Sequence, residues 1–424
     1  MDEARAVPKL LGIAAVVGLL AGGGVVLFLA AEHQLSHLLW SVVPDALGGT
    51  PGWWVALVLL AGAVGVWGAL KLPGHGGHRP LDGLGFDVGP KQIGSVVVAA
   101  LISLSIGAVV GPEAPLMAVG SAVAGFVAMR AEPPVRQVLM LAGAAAAITM
   151  ILGNPMISAV LILEAAALKG SPGGKKVMAA ILPVLLAMGT GYLIQVGVGD
   201  WSGVGLSQLA VPGLPAYPTV QAVDLGLAMV IGLVTAVLAV MSVEVGTLFQ
   251  DRIKSQLTKL LVAASVVAAA ALITRALTDQ PVDVVLFSGQ AAIGTVLGIA
   301  SVSALVIIAV AKTIGYAVSL GGGFRGGMVF PAVFLGVVVA TAGTQVVTSA
   351  NLSAMAAAGI AAAVAGVLRL PFSGVLLALL LCASAGLAVT TPAIIGAIIG
   401  VLVRVVADGV LQRREQALAE TAAA

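Results

Sequence analysis

Gly111-Pro112-Glu113-Ala114-Pro115 sets one carboxylate between two prolines and two small residues. Long apolar runs, residues 93–110 and 116–129, lie on either side. Ionisable residues inside apolar spans are rare and mark function. Proline is excluded from a helix interior but suits the first turn, so Pro112 and Pro115 mark a helix start. A helix start offers free backbone N–H groups and a positive dipole end, which together make an anion site. The stretch therefore reads as a broken membrane helix with Glu113 at the mouth of its N-terminus. The plainer alternative is a kinked helix with Glu113 in a buried hydrogen bond.

Working outward, the whole chain suits such a setting. Its 424 residues are 60% hydrophobic and only 9% charged, against about 25% charged in soluble domains. The apolar runs are long and do not alternate, which gives an all-α polytopic membrane protein. Spans are expected at 10–31 (an uncleaved first helix continuing to near Trp40), 53–70, 138–152, 156–168, 177–198, 220–243, 260–277, 291–310, 312–320, 328–347, 354–367, 371–387 and 392–406. The 55 glycines fit close helix packing and broken helices. A net charge of +2 gives no nucleic-acid signal. Cys382 stands alone, so no disulfide framework forms. His75 and His78 lack a third ligand at useful spacing, so their loop is read as solvated and no metal is expected. Without a nucleophile elbow or phosphate loop, no enzyme or cofactor is expected either.

Basic residues sort the loops by side. Lys169, Lys175 and Lys176 mark one loop and Arg252, Lys254 and Lys259 another, while the loop 199–219 between them has neither Lys nor Arg. The positive-inside rule puts the first two in the cytoplasm, the third outside, and, through Arg413 and Arg414, the C-terminus inside. The expected location is the cell (inner) membrane. Residues 409–424 read as a short cytoplasmic tail with no regulatory domain.

A second glycine-rich break, Gly321-Gly322-Gly323-Phe324-Arg325-Gly326-Gly327, lies in the other half. Adding a constant offset to Gly111, Pro115, Gly120, Gly143 and Pro155 lands on Gly327, Pro331, Gly336, Gly359 and Pro371. Five matches in two separate blocks define an internal repeat, roughly 10–200 and 220–408, within one transmembrane domain. Repeats broken at corresponding positions point to a transport site between the halves. One helix start lies at Glu113–Pro115 and one at 328–331. Aimed at one point, they would hold an anion weakly and exchangeably, as conduction requires.

These residues resemble the CLC family of chloride channels and proton/chloride exchangers, as a divergent prokaryotic member. The family's G-K/R-E-G-P signature is similar to Gly111-Pro112-Glu113-Ala114-Pro115, and its G-x-F-x-P signature to Gly327-Met328-Val329-Phe330-Pro331. Arg369-Leu370-Pro371-Phe372-Ser373-Gly374 resembles its R-A-P-L-T-G stretch. Asn154-Pro155 with Ile162-Leu163-Glu164 resembles its N-A-P…I-E-E segment. The resemblance implies an inverted repeat of tilted and broken helices, assembled as a homodimer in the lipid bilayer with one anion pathway per subunit. It implies Glu113 as the gating glutamate, in the path when charged and out of it when protonated or displaced. It implies an anion site built from Gly111, Ala114, Pro115, Gly327, Met328, Val329 and Phe330. The amides of Met328 and Val329 would take the central anion, and those of Ala114 and Leu116 the outer one.

The departures are specific. Pro112 replaces a basic residue and removes an N–H. The family's G-S-G-I-P loop has no clear copy, and Gly74-His75-Gly76 is the nearest stretch. The pore tyrosine on a last helix has no counterpart in Tyr192, Tyr217 or Tyr316. Glu164 meets the first of the paired glutamates and Ala165 the second, the inner proton site of many exchangers. Fewer hydroxyl ligands weaken binding of dehydrated chloride. The function expected is therefore anion transport gated by Glu113, carrying chloride or a similar small anion with no cofactor, and a passive channel before a coupled one. The alternatives are a proton-coupled chloride antiporter, a secondary carrier of another inorganic or organic anion, and a non-transporting scaffold.

Other charges have two readings each. Lys312 sets the potential of an inner vestibule or snorkels. Arg325 attracts anions or caps a helix C-terminus. Glu164 is an inner proton relay or a cytoplasmic helix-end carboxylate near Lys169. Arg369 is expected to pack against carbonyls, and Asp224 and Glu244 to lie at the interface near helix ends.

Overall fold

A computed structural model describes residues 2–423 apart from 84, 86–87, 169–173 and 199–209, without side chains at 2–6, 168, 174–179, 198 and 414–423. The side chains of Lys169, Lys175, Lys176 and Arg414, and Trp201 with its neighbours, lie outside the described residues. Among those described, the secondary structure is helical, with one isolated β-bridge.

In the first half, α1 (Asp2–His37) runs through a π-helical turn (Leu38–Val42) into α2 (Val43–Ala46), a little past the expected end near Trp40. It stops where Gly48 and Gly49 turn to positive φ. There follow α3 (Gly52–Ala69), α4 (Ile93–Ser105), α5 (Glu113–Val127), α6 (Pro133–Leu152), α7 (Pro155–Leu168) and α8 (Gly174–Val198). The second half holds α9 (Ala222–Arg252), α10 (Gln256–Thr278), α11 (Ile293–Leu297), α12 (Val302–Gly322), α13 (Val329–Val346), α14 (Leu352–Leu368), α15 (Pro371–Leu381) and α16 (Thr390–Ala423). Among the described residues, nine helices are long and apolar enough to cross a membrane, and α4, α5, α7, α14 and α15 are shorter apolar helices.

Several expected boundaries move for local reasons. The run 93–110 stops at Ser105 because Gly107, at φ 88°, turns the chain. The span expected at 291–310 is split: α11 is one short turn of helix, and the chain restarts at Val302, where Ser301 Oγ accepts the Ala304 N–H at 3.3 Å. Helix α9 continues to Arg252, so Glu244 lies inside a helix and pairs with Arg404 at 2.7 Å. Asp224 lies near a helix end, in the first turn of α9, and is buried at 1% exposure, with its Oδ1 accepting the Asn351 N–H at 3.0 Å.

The two halves coincide in detail at the offset of 216 that separates Glu113 from Val329. Helices α5 and α13 begin at those two residues, α6 and α14 end at Leu152 and Leu368, and α7 and α15 begin at Pro155 and Pro371. Gly107 and Gly323 make the turns before the breaks at φ 88° and 91°. Gly153 and Arg369 cap α6 and α14 in the left-handed region at φ 65° and 62°. Arg369 thus holds a position that favours glycine, and its side chain pairs with Asp408 at 2.5 Å rather than with carbonyls. Helix pairs α5/α6 and α13/α14 cross at Gly120–Gly143 and Gly336–Gly359, where a Cβ would strike the partner's backbone. These crossings press backbone on backbone, as in small-residue membrane packing. Helices α13 and α14 form the interior, buried without interruption from Val329 to Thr341 and from Ser353 to Val367.

Candidate functional site

The breaks before α5 and α13 meet. Gly111 and Gly327 exchange two backbone hydrogen bonds, at 2.9 and 2.6 Å. Each strand is also held by a serine from the other half: Ser319 Oγ accepts the Val109 N–H at 3.1 Å, and Ser103 Oγ accepts the Arg325 N–H at 2.9 Å. These two serines are themselves repeat mates. They are polar inside apolar helices, and one such pair in a glycine- and proline-based comparison carries no signal of its own.

Both helix starts are built alike. Pro112 and Met328 take the N-cap positions, and proline stands at the third helical position of each, Pro115 and Pro331. Helix geometry leaves the first N–H groups without intrahelical acceptors, and the prolines have none to give. Each start therefore presents two amides: Glu113 and Ala114 in one, Val329 and Phe330 in the other. Glu113 fills the space between them. Its Oε1 accepts the Val329 N–H at 2.5 Å, and the amides of Glu113 and Phe330 also address the carboxylate. Its Oε2 is buried without a partner, and the residue is 1% exposed. The two bridging glycines make this seat, because a Cβ on Gly111 or on Gly327 would collide with the Glu113 carboxylate.

The energetics leave the seat finely balanced. A charge in mid-membrane costs about 2.5–3.5 kcal/mol or more. A hydrogen bond to a charged group returns about 1.5–3 kcal/mol. Two or three amides therefore roughly offset the burial of the carboxylate.

Openings lie on both sides. A cavity of 690 Å³ reaches Val110 and Pro112 and is walled by α1, Thr50, the end of α6 and the 281–293 segment. On the opposite side, a pocket of 10 Å³ joins Glu113 to Ser373 through apolar residues, with room for about one water. Beyond it, Glu164 accepts the Phe372 N–H at 2.9 Å, the Ser373 N–H at 2.8 Å and the Ser373 hydroxyl at 2.6 Å. This carboxylate caps the start of α15, a tertiary role not expected from the local sequence.

Of the expected anion ligands, the structure puts the amides of Val329 and Phe330 on the carboxylate, while Ala114 follows Glu113 in the first turn of α5. The amides of Gly111 and Gly327 are spent on each other, and the Leu116 N–H goes to Pro112 O at 3.0 Å. Pro115 has no N–H. Met328 serves through its carbonyl, which accepts the Tyr316 hydroxyl at 2.6 Å. Tyr316, fully buried on α12, thus props the second helix start, a contact that its sequence position does not announce. The His75 ring is exposed, with Nδ1 3.2 Å from Leu70 O.

Lys312 fits neither reading given above. It is fully buried, and Nζ donates to the carbonyls of Val285, Leu286 and Phe287 at 3.0, 2.9 and 3.0 Å. It fixes a loop in the wall of the 690 Å³ cavity. Arg325 does not cap a helix: it is 7% exposed, and Nη2 donates to His75 O at 2.9 Å.

Known proteins share this fold. The family described as voltage gated chloride channel matches residues 75–405. YfeO of Escherichia coli O17:K52:H18 (strain UMN026 / ExPEC), provisionally named an ion-transport protein, is 25% identical over 338 residues, 76% of each chain. Among solved structures, a slow cyanobacterial Cl⁻/H⁺ antiporter superposes with a TM-score of 0.78 at 19% identity, over 97% of this chain and 98% of that one. A CLC-type fluoride/proton antiporter gives 0.67 at 16% identity, over 93% and 95%.

Proposed function

The chain belongs to the voltage gated chloride channel (CLC) family, and we propose that it carries chloride or a similar small anion across the cell membrane through a pathway gated by Glu113. One observation carries the reading. The Glu113 carboxylate, itself an anion, sits on the amides of the opposite helix start. A carboxylate oxygen and a halide ask the same of an N–H donor, so the seat that holds one holds the other. Protonation or displacement of Glu113 vacates it. Flux therefore rises as the pH falls on the side of the 690 Å³ cavity.

Passive conduction is the first form of this reading. Ala165 offers no second inner carboxylate, and both Glu164 oxygens are engaged by the start of α15. Proton-coupled exchange is a second form, favoured by the pocket that links Glu113 to Ser373, a hydroxyl already bonded to Glu164. The C-terminus lies in the cytoplasm, and two copies pair through the apolar faces of α7, α8, α15 and α16, where Met156, Leu182, Leu193, Phe372 and Ile398 stand exposed.

Purified protein in chloride-loaded liposomes tests this. Wild type and Glu113→Ala are compared for anion efflux and proton uptake together, with and without a protonophore. Removing the carboxylate from its seat raises efflux about tenfold and abolishes its pH dependence, on the scale of one charged hydrogen bond. Efflux without uphill proton movement supports the channel. Proton uptake driven by the chloride gradient and lost in Glu113→Ala establishes exchange. Absence of chloride flux in both overturns the chloride reading.

A further inference from the structure

We propose a binding site for a divalent transition-metal ion on α1, formed by His33 and His37 beside the 690 Å³ cavity. The apolar run 10–31 is long enough to cross a bilayer, at about 1.5 Å per residue. Helix α1 continues past it through Glu32-His33-Gln34-Leu35-Ser36-His37, where every residue but Leu35 is polar. This part of α1 stands clear of the hydrocarbon, and both imidazoles are exposed.

Residues four apart are neighbours on one face of a helix. A histidine pair at this spacing is a zinc-binding unit. The rings of His33 and His37 already stack, with centroids 6.4 Å apart and planes 20° from parallel. Zinc holds an imidazole nitrogen at about 2 Å, so a small turn of the two side chains closes them on one ion. Imidazole suits zinc, copper and nickel rather than magnesium or calcium. Among the described residues, no group of three or more His, Cys, Asp or Glu is placed to hold a metal. The pair is therefore a two-point chelate, with its other positions open to water.

The surroundings favour a cation. Glu32 is within Coulombic reach of His33. Glu32 and Asp283 line the cavity together with His33, and its described lining residues include neither Lys nor Arg. Lys312 is within Coulombic reach of Asp283, but its ammonium is engaged by three carbonyls. The cavity reaches Val110 and Pro112, next to the amide seat. Its wall is thus negative where the proposed pathway needs anions to enter. A divalent ion on His33 and His37 offsets that charge and draws anions toward the seat. This last step rests on the anion reading above, and the binding of the metal does not.

Zinc titrated calorimetrically into the full chain in detergent, carrying no affinity tag, tests the site. The expected result is one saturable ion per chain. His33→Ala and His37→Ala each weaken its binding by about tenfold or more, because a lone imidazole loses the effective concentration of its partner. In chloride-loaded liposomes at low outside salt, zinc on the cavity side raises wild-type efflux about threefold and leaves efflux from His37→Ala unchanged. Zinc that binds wild type and both variants equally, or does not bind wild type, overturns the site. Zinc that binds as expected but leaves a measurable chloride efflux unmoved overturns its link to the pathway. The titration needs no chloride flux, so failure of the chloride reading and failure of the metal site are told apart.

Discussion

The two helix breaks are the same in backbone and opposite in charge. Each has a glycine turn at positive φ, a strand held by a serine of the other half, a glycine in the central bridge, and a helix start with proline at its third position. Yet the first break carries Val109 and Glu113, where the second carries Arg325 and Val329. The first supplies a negative side chain that occupies the seat, and the second supplies amides that receive it. The backbone symmetry builds a site for one anion. On the proposed function, the side-chain asymmetry sets a tethered anion against a free one.

The sharpest way to break this comparison is to fill the seat. Gly327→Ala puts a methyl where the Glu113 carboxylate lies. The carboxylate is expected to leave, giving liposome flux that is about tenfold above wild type at neutral pH and insensitive to pH. Flux that stays low and pH-dependent would mean that Glu113 does not obstruct the path. Next in size is Lys312→Met, which leaves the carbonyls of Val285, Leu286 and Phe287 without their donor. At about 1–3 kcal/mol for each buried unmet group, the loss exceeds 3 kcal/mol, seen as a lower Tm in detergent. A stable protein with altered conductance would restore the vestibule reading of Lys312.

Tyr316→Phe removes only the hydroxyl that holds Met328 O. A cost of about 1–3 kcal/mol is expected. Flux should become less steeply pH-dependent, because the receiving amides are less well fixed. The smallest effect belongs to Glu164→Gln, which weakens the cap on α15 by about 1 kcal/mol and leaves anion flux near wild type. If that variant abolishes proton uptake while sparing chloride flux, the proton-coupled form of the function stands and the passive form falls.

Much of the first break was legible because glycine and proline punctuate backbone locally. The start of α5 at Glu113, the pairing of Pro155 with Pro371 and the family resemblance all rest on such residues. What escaped depends on contacts between distant segments. Ser103 reaches Arg325, Ser319 reaches Val109, and Tyr316 reaches Met328 across a turn whose geometry no local pattern fixes. Lys312 was misread for the same reason: its acceptors are carbonyls of a loop more than twenty residues away. The split of 291–310 was missed because its break, Gly298-Ile299-Ala300-Ser301, is mostly apolar and has no proline. The expected amide donors Gly111 and Gly327 were placed correctly but assigned wrongly, since position in the sequence does not show whether an N–H is already spent.

The reciprocal bonds between Gly111 and Gly327 have a kinetic consequence. They staple the repeats together beside the proposed anion seat, so the halves cannot part there without breaking both bonds. Opening is then a rotation of one side chain, with a small activation enthalpy. Flux through this protein should rise only gently with temperature, close to the trend of diffusion in water, where a pathway that rocks its domains would steepen sharply.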